Sequence, residues 1–200
     1  MGPFQVLSSM TGTKVFFVAE TKGTIKGGSG LQIVVDKAID DIDHLDILLI
    51  PGGTSGTLKA SKNPALLNWI KKIDEHSQFT TSVCTGAWIL GEAGLLKDKK
   101  ATTNWYRAKE KLTAYNAHFE EERWVQDGKY WTSAGVSAGI DMSLALVAAI
   151  KGETYAKIVT LNLEYDPQPP FVGGSVKKTN AGIVNYLTAA YDGILKKEDE

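Results

Sequence analysis

The chain holds one cysteine, and its surroundings are what reactive chemistry needs. Phe79-Thr-Thr-Ser-Val-Cys84 is a β-prone run, and Thr85-Gly86-Ala87-Trp88-Ile89-Leu90 starts an apolar helix-forming run directly behind it. A strand that turns sharply into a helix at its nucleophile is a nucleophile elbow, here spelled Ser82-Val83-Cys84-Thr85-Gly86. Small residues flank the nucleophile because bulkier ones collide with the neighbouring strand at so tight a bend. A thiol at a helix start also meets the positive end of the helix dipole, which favours thiolate over thiol. The competing reading is an inert core cysteine, which suits a strand interior better than this junction.

A second group belongs beside the thiol. Asp46–Ile50 reads as a buried strand closed by Pro51-Gly52-Gly53, whose glycines let backbone amides approach a ligand closely. In open α/β sheets ligands bind outside the carboxyl ends of the strands, where both Cys84 and Gly52-Gly53 fall. The Gly52, Gly53 and Thr85 amides are therefore expected to form an oxyanion-type pocket against charge built up by thiolate attack.

A Cys-His hydrolase needs an imidazole next to the sulfur, and the three histidines are His44, His76 and His118. His76 precedes the strand that ends at Cys84, so it enters at the opposite edge of the sheet, about 16 Å away at the strand rise. His44 precedes the Asp46–Ile50 strand and is excluded in the same way. His118 precedes a hairpin arm and is a poor partner too. Cys-His protease or amidase chemistry is disfavoured, and so few histidines and cysteines give no metal-ligand cluster. No cofactor motif is present: Gly23–Gly30 lacks both the phosphate-loop ending and the dinucleotide spacing, and reads as a loop or hairpin.

The elements that position these residues follow from periodicity. Met1–Met10 reads as helix with Pro3 early. Lys14–Ala19 is a continuous apolar run expected of a strand covered on both faces. Leu31–Val35 is a short strand. Asn63-Pro64 opens a helix carrying Leu66, Leu67, Ile70 and Ile73. The helix behind Cys84 carries Ala87 to Leu96 and is apolar nearly all round, hence buried. Lys100–Thr103 reads as a strand and Arg107–Asn116 as a surface helix. Arg123–Trp131 is a β-hairpin with an Asp127-Gly128 turn. Ser137–Lys151, Glu153–Tyr165 and Ala181–Lys196 are helices, with a long Pro/Gly-rich loop over Asp166–Thr179. Lys196–Glu200 is a charged tail, expected to fray. Alternating strands and helices give an α/β sandwich around a mostly parallel sheet, one domain over 1–200.

Composition agrees. Two hundred residues at 43% hydrophobic content fill one sizeable core. Lys+Arg 22 against Asp+Glu 23 gives a net charge of −1, which points to neither nucleic acid nor an anionic membrane. No apolar run spans a bilayer and no secretory signal pattern follows Met1, so the expected place is the cytoplasm, where an unpaired cysteine stays reduced.

These residues resemble the ThiJ/PfpI superfamily of class I glutamine-amidotransferase-like proteins. Asp46-Ile-Leu-Leu-Ile-Pro-Gly-Gly53, Ser82-Val-Cys-Thr-Gly86, Gly94-Leu-Leu-Lys-Asp-Lys-Lys-Ala-Thr-Thr103, Asp127-Gly128 and Gly135-Val-Ser-Ala-Gly-Ile-Asp141 stand in that family's order. The Cys-Thr-Gly elbow with Ala-Gly-Ile-Asp, and Leu163-Glu-Tyr-Asp-Pro-Gln-Pro-Pro-Phe171, resemble the isocyanide hydratase branch and its related regulator domains. The resemblance implies a flavodoxin-like fold, a homodimer and an elbow thiolate that attacks the isocyanide carbon before water releases an N-substituted formamide. It makes Cys84 the nucleophile, flanked by Thr85 and Val136, with Gly52 and Gly53 lining the pocket. It also implies a first strand, and an acid/base carboxylate before a Gly-Pro that Gly2-Pro3 matches here. Both are missing from this sequence. Either the chain is truncated, or Lys14–Ala19 re-pairs in the sheet, or another carboxylate substitutes, for which Glu20 is the candidate. Asn104 stands where related sequences often carry histidine, which removes one polar partner, and Asp141 is expected to cap a helix.

Three functions compete: a small-molecule lyase or hydratase using Cys84, a redox-responsive protein in which Cys84 oxidises, and the sensor part of a transcription regulator. Lack of a helix-turn-helix pattern weakens the third. Trp105, Trp124, Trp131 and Tyr165 are candidates to line a hydrophobic substrate pocket, although such aromatics are more often core.

Overall fold

The computed structural model describes residues 1–27 and 30–199. Helix α1 (Gly2–Ser8) carries Pro3 in its first turn, where no N–H is needed, and buries Val6 and Leu7. Strand β1 is only Val18–Ala19, and the extended chain before it leaves Phe16 39% exposed. The expected two-sided strand over Lys14–Ala19 is thus not formed. The reason is pairing: after the hairpin of β2 (Gly23–Lys26) and β3 (Gln32–Val35), the two-residue β4 (Lys37–Ala38) is the neighbour on which β1 pairs. The hairpin realises the glycine-rich stretch as a turn between strands, with Gly28 and Ser29 outside the described residues.

The central sheet follows. Strand β5 (Ile47–Ile50) leads through Pro51-Gly52-Gly53 into α2 (Ser55–Ser61) and α3 (Pro64–His76). Asn63 caps α3 by accepting from the Leu66 amide at 3.2 Å, as its Asn-Pro start predicts. Strand β6 (Phe79–Val83) then runs into α4 (Gly86–Glu92), which ends earlier than its apolar pattern suggests because Gly94 turns the chain at φ +78°. Short β7 (Lys100–Ala101) and β8 (His118–Phe119) pair in parallel around α5 (Ala108–Ala114).

Strands β9 (Trp124–Asp127) and β10 (Tyr130–Ser133) form the expected hairpin. Its turn is Gly128-Lys129, not Asp127-Gly128: Asp127 pairs with Tyr130, and Gly128 takes φ +60°. Helices α6 (Val136–Lys151), α7 (Glu153–Asn162) and α8 (Ala181–Asp199) complete the chain. Backbone helix in α8 extends through Asp199, so that part of the charged tail is structured and not frayed; Glu200 lies outside the described residues.

The main sheet has the order β5-β6-β10-β9, parallel except for the last pair. Ile47, Leu48, Val83 and Trp131 belong to its two hydrophobic cores. One core joins Leu48 and Ile50 to Ile70 and Ile73 of α3 and Leu90 of α4; the other joins Val83 and Trp131 to α1, α6 and α7 through Val6, Met142, Leu146 and Val159. Helices therefore cover both faces, the three-layer arrangement of the flavodoxin-like fold. Register places Ile50 beside Ser82 and Val83 beside Ser133, so the chain after β5, β6 and β10 leaves the sheet at one edge. Among the described residues, β5 has no ladder partner on its outer side, and Lys14–Ala19 does not re-pair there. Among the described residues, no helix is long and apolar enough to cross a membrane.

Candidate active site around Cys84

Cys84 sits between β6 and α4 at φ +58°, a left-handed backbone that a non-glycine residue adopts only under constraint. Three hydrogen bonds impose it. The Cys84 amide donates to Ser133 O at 2.9 Å, Thr103 Oγ1 donates to Cys84 O at 2.9 Å, and Asn104 Nδ2 donates to Cys84 Sγ at 3.4 Å. Strain of this kind costs about 1–3 kcal/mol and persists where the surroundings over-determine it, as they do here. The side chain is half-buried, packed on one side against the α1–α6 core.

Two glycines make the bend fit. A Cβ on Gly86 would meet Ile50 O at 2.2 Å, so only glycine lets α4 start against the end of β5. A Cβ on Gly52 would stand 2.8 Å from Cys84 Cβ and 2.8 Å from Thr85 N. Gly52 and Gly53 are exposed, so the space beside the thiol opens to solvent. The sequence expectation that the paired glycines meet the thiol is met for Gly52.

Thr85 is the strut between the two loops. Its buried hydroxyl accepts the Gly53 amide at 3.0 Å, donates to Gly53 O at 2.8 Å, and lies 2.8 Å from Thr57 Oγ1. The Gly53 amide is therefore spent on Thr85 instead of facing a ligand. The hydroxyl of Thr85 is occupied as well.

Val136 starts α6 and is 72% exposed. Glu20 is exposed one residue past β1, with no hydrogen bond or ion pair among the described residues. Of the histidines, His44 approaches Asp46 at 3.6 Å, and none touches Cys84. Asp141 is no cap: it lies inside α6, where it accepts from Arg123 Nε and from Tyr165 Oη, both at 2.6 Å. Burial, then this carboxylate, pushes the Tyr165 phenol up to about 12.

The aromatic expectation is redistributed in the same way. Trp124 and Trp131 stack on each other at 5.4 Å inside the core, and Tyr165 serves Asp141; of the four, Trp105 remains by the site. Its companions were not legible from sequence. Tyr191 of α8 stacks on Tyr106 at 5.0 Å and meets the edge of Trp105 at 5.7 Å. Asp192 accepts from Tyr106 Oη at 2.5 Å and from Arg107 Nη2 at 2.9 Å. Burial raises the Tyr191 phenol, and nearby Cys84 adds to it. The expectation that Asn104 leaves the site one polar partner short is corrected: its amide reaches Cys84 Sγ, a link that spans 20 residues of sequence.

The profile of the DJ-1/PfpI family matches residues 1–149, the span that holds every strand and the elbow. The chain belongs to the DJ-1/PfpI family. Within that family, it is 35% identical to an isonitrile hydratase of Pseudomonas putida over 92% of this chain and 80% of that protein. A ThiJ/PfpI family protein from Pseudomonas syringae superposes with a TM-score of 0.93 at 37% identity, covering 99% of this chain and 82% of its own. The transcriptional regulator CdhR of Pseudomonas aeruginosa is 31% identical over 67% of this chain, which spans 40% of that longer protein. Drosophila DJ-1beta shares the fold at a TM-score of 0.73 and 18% identity.

Proposed function

We propose that this DJ-1/PfpI protein is a cysteine-dependent hydratase that converts an isocyanide and water into an N-substituted formamide. The observation that carries it is the half-buried Cys84 held at φ +58° on the β6–α4 bend, with its Cβ close beside Gly52. The 35% identity to isonitrile hydratase over 92% of the chain supports the reaction class.

The chemistry follows from the thiol. The Cys84 sulfur attacks the terminal carbon of R–N≡C, forming an S–C bond while a C–N π pair moves onto nitrogen and carbon keeps its own lone pair. That carbon takes up one proton, the one the thiol gave up, and a thioimidate R–N=CH–S results. Water adds across C=N, its oxygen to carbon and a proton to nitrogen. The hydroxyl O–H pair then forms C=O as the C–S bond breaks, its electrons return to sulfur together with the hydroxyl proton, and R–NH–CHO leaves with the thiol restored. The Thr85 backbone amide and the chain at Gly52 supply the polar wall against which charge develops. The site uses no metal or cofactor in this scheme.

The experiment is turnover of an aryl isocyanide by the wild-type protein and by Cys84→Ser. Formamide from the wild type and at least about a hundredfold less from the variant is expected. No formamide above buffer from either protein overturns the reading.

The functional unit in this reading is a cytosolic homodimer. Apolar side chains left exposed on α7, on the loop after it and on α8 support it: Leu161 is 78% exposed, Val172 88% and Tyr186 74%. Light scattering checks it, with a mass of twice 21.7 kDa expected and a monomer mass excluding it.

A further inference from the structure

We propose that Asn104 is the positioning residue of the thiol: its carboxamide donates Nδ2–H to Cys84 Sγ and holds the sulfur in its attack-ready orientation. This deepens the nucleophile reading of Cys84. Asn104 is 7% exposed, so its amide cannot satisfy itself with bulk water. Both of its ends are used. Oδ1 accepts the Tyr106 amide at 3.0 Å, and Nδ2 reaches Sγ at 3.4 Å. The opposite flip of the amide would set NH2 against the Tyr106 N–H, donor against donor. The Tyr106 N–H therefore fixes which end faces the sulfur.

The preceding residue completes the grip. Thr103 Oγ1 holds Cys84 O at 2.9 Å, so consecutive side chains grasp the carbonyl and the sulfur of one strained residue. The segment that carries them is itself locked: Trp105 and Tyr106 pack on Tyr191, and Asp192 takes Tyr106 and Arg107. A carboxamide has no titration of its own, so it donates to sulfur whatever the pH. A hydrogen bond to a charged acceptor is among the stronger ones a protein makes, and a thiolate has no other donor here among the described side chains.

The test reads the thiol directly. Because the chain has one cysteine, alkylation by iodoacetamide reports Cys84 alone. Asn104→Asp keeps the acceptor for Tyr106 but replaces the donor with a negative oxygen. Its alkylation rate at neutral pH is expected to fall at least about tenfold, with loss of thiolate ultraviolet absorbance and unchanged near-ultraviolet circular dichroism. Asn104→His, which restores an N–H, is expected within about threefold of wild type. Should Asn104→Asp misfold, Asn104→Ala is read against the same thresholds. A donor-less variant that alkylates like wild type, or a histidine variant as slow as the aspartate, overturns the proposal. Turnover of isocyanide plays no part in this readout, so failure of the hydratase reading and failure of this one are told apart.

Discussion

Gly52 stands so close to Cys84 that a methyl group on it would lie 2.8 Å from the cysteine Cβ. The neighbour on that side is backbone and the root of a side chain, neither of which can swing away. Gly52→Ala is therefore expected to shift the elbow rather than unfold the protein, lowering kcat/KM at least about tenfold while moving stability by about 1–3 kcal/mol. Steady-state kinetics beside urea unfolding separates the two effects. Full activity in Gly52→Ala would show that the close approach does not matter.

Gly86 is the harsher case. An added Cβ would sit 2.2 Å from Ile50 O and 3.0 Å from Pro51 C, both backbone atoms. Gly86→Ala is expected to cost about 3 kcal/mol or more, since strand β5 and helix α4 must part. Urea midpoints at constant m-value give the number.

The Thr85 hydroxyl joins Gly53 to Thr57 in a buried cluster. Thr85→Val keeps the shape but strands the Gly53 amide and the Thr57 hydroxyl. A loss of about 2 kcal/mol is expected, with loosened approach of the glycine loop to the thiol seen as slower alkylation of Cys84. Thr85→Ser, which retains the hydroxyl, should recover most of both.

Tyr165 makes alkaline pH informative. Burial and the Asp141 contact raise its phenol from 10.0 to about 12, so the folded protein keeps the proton more tightly than the unfolded chain. That stability is fully present below pH 10 and is lost as pH rises toward about 12. Tyr165→Phe removes one such titration, so its melting temperature should fall less than that of the wild type across this window. Tyr115 and Tyr130, each pushed up mainly by burial to about 12, still titrate in the variant and leave a residual fall.

How far the sequence could be read depends on whether a feature is local. The elbow needs only the residues from Ser82 to Gly86, and the glycine pair needs only the end of β5, so both stood out in the sequence. Lys14–Ala19 misled because apolar composition reports burial propensity and says nothing of ladder partners; β1 finds only the two residues of β4. Helix α2 went unread because Ser55-Gly-Thr-Leu-Lys-Ala-Ser61 offers weak helix formers and no side-chain cap. The thiol's surroundings were the least legible. Asn104, Thr57 and Tyr191 reach the elbow from distant parts of the chain, and no periodicity records such contacts.

Everything in the functional account depends on a covalent bond between Cys84 and the substrate carbon. Intact-mass spectrometry of protein quenched during turnover of an aryl isocyanide measures it most directly. The account predicts a mass gain of one isocyanide, mapped to the peptide holding Cys84, and absent in Cys84→Ala. Formamide produced by Cys84→Ala at the wild-type rate, with no adduct on the wild-type cysteine, would contradict it.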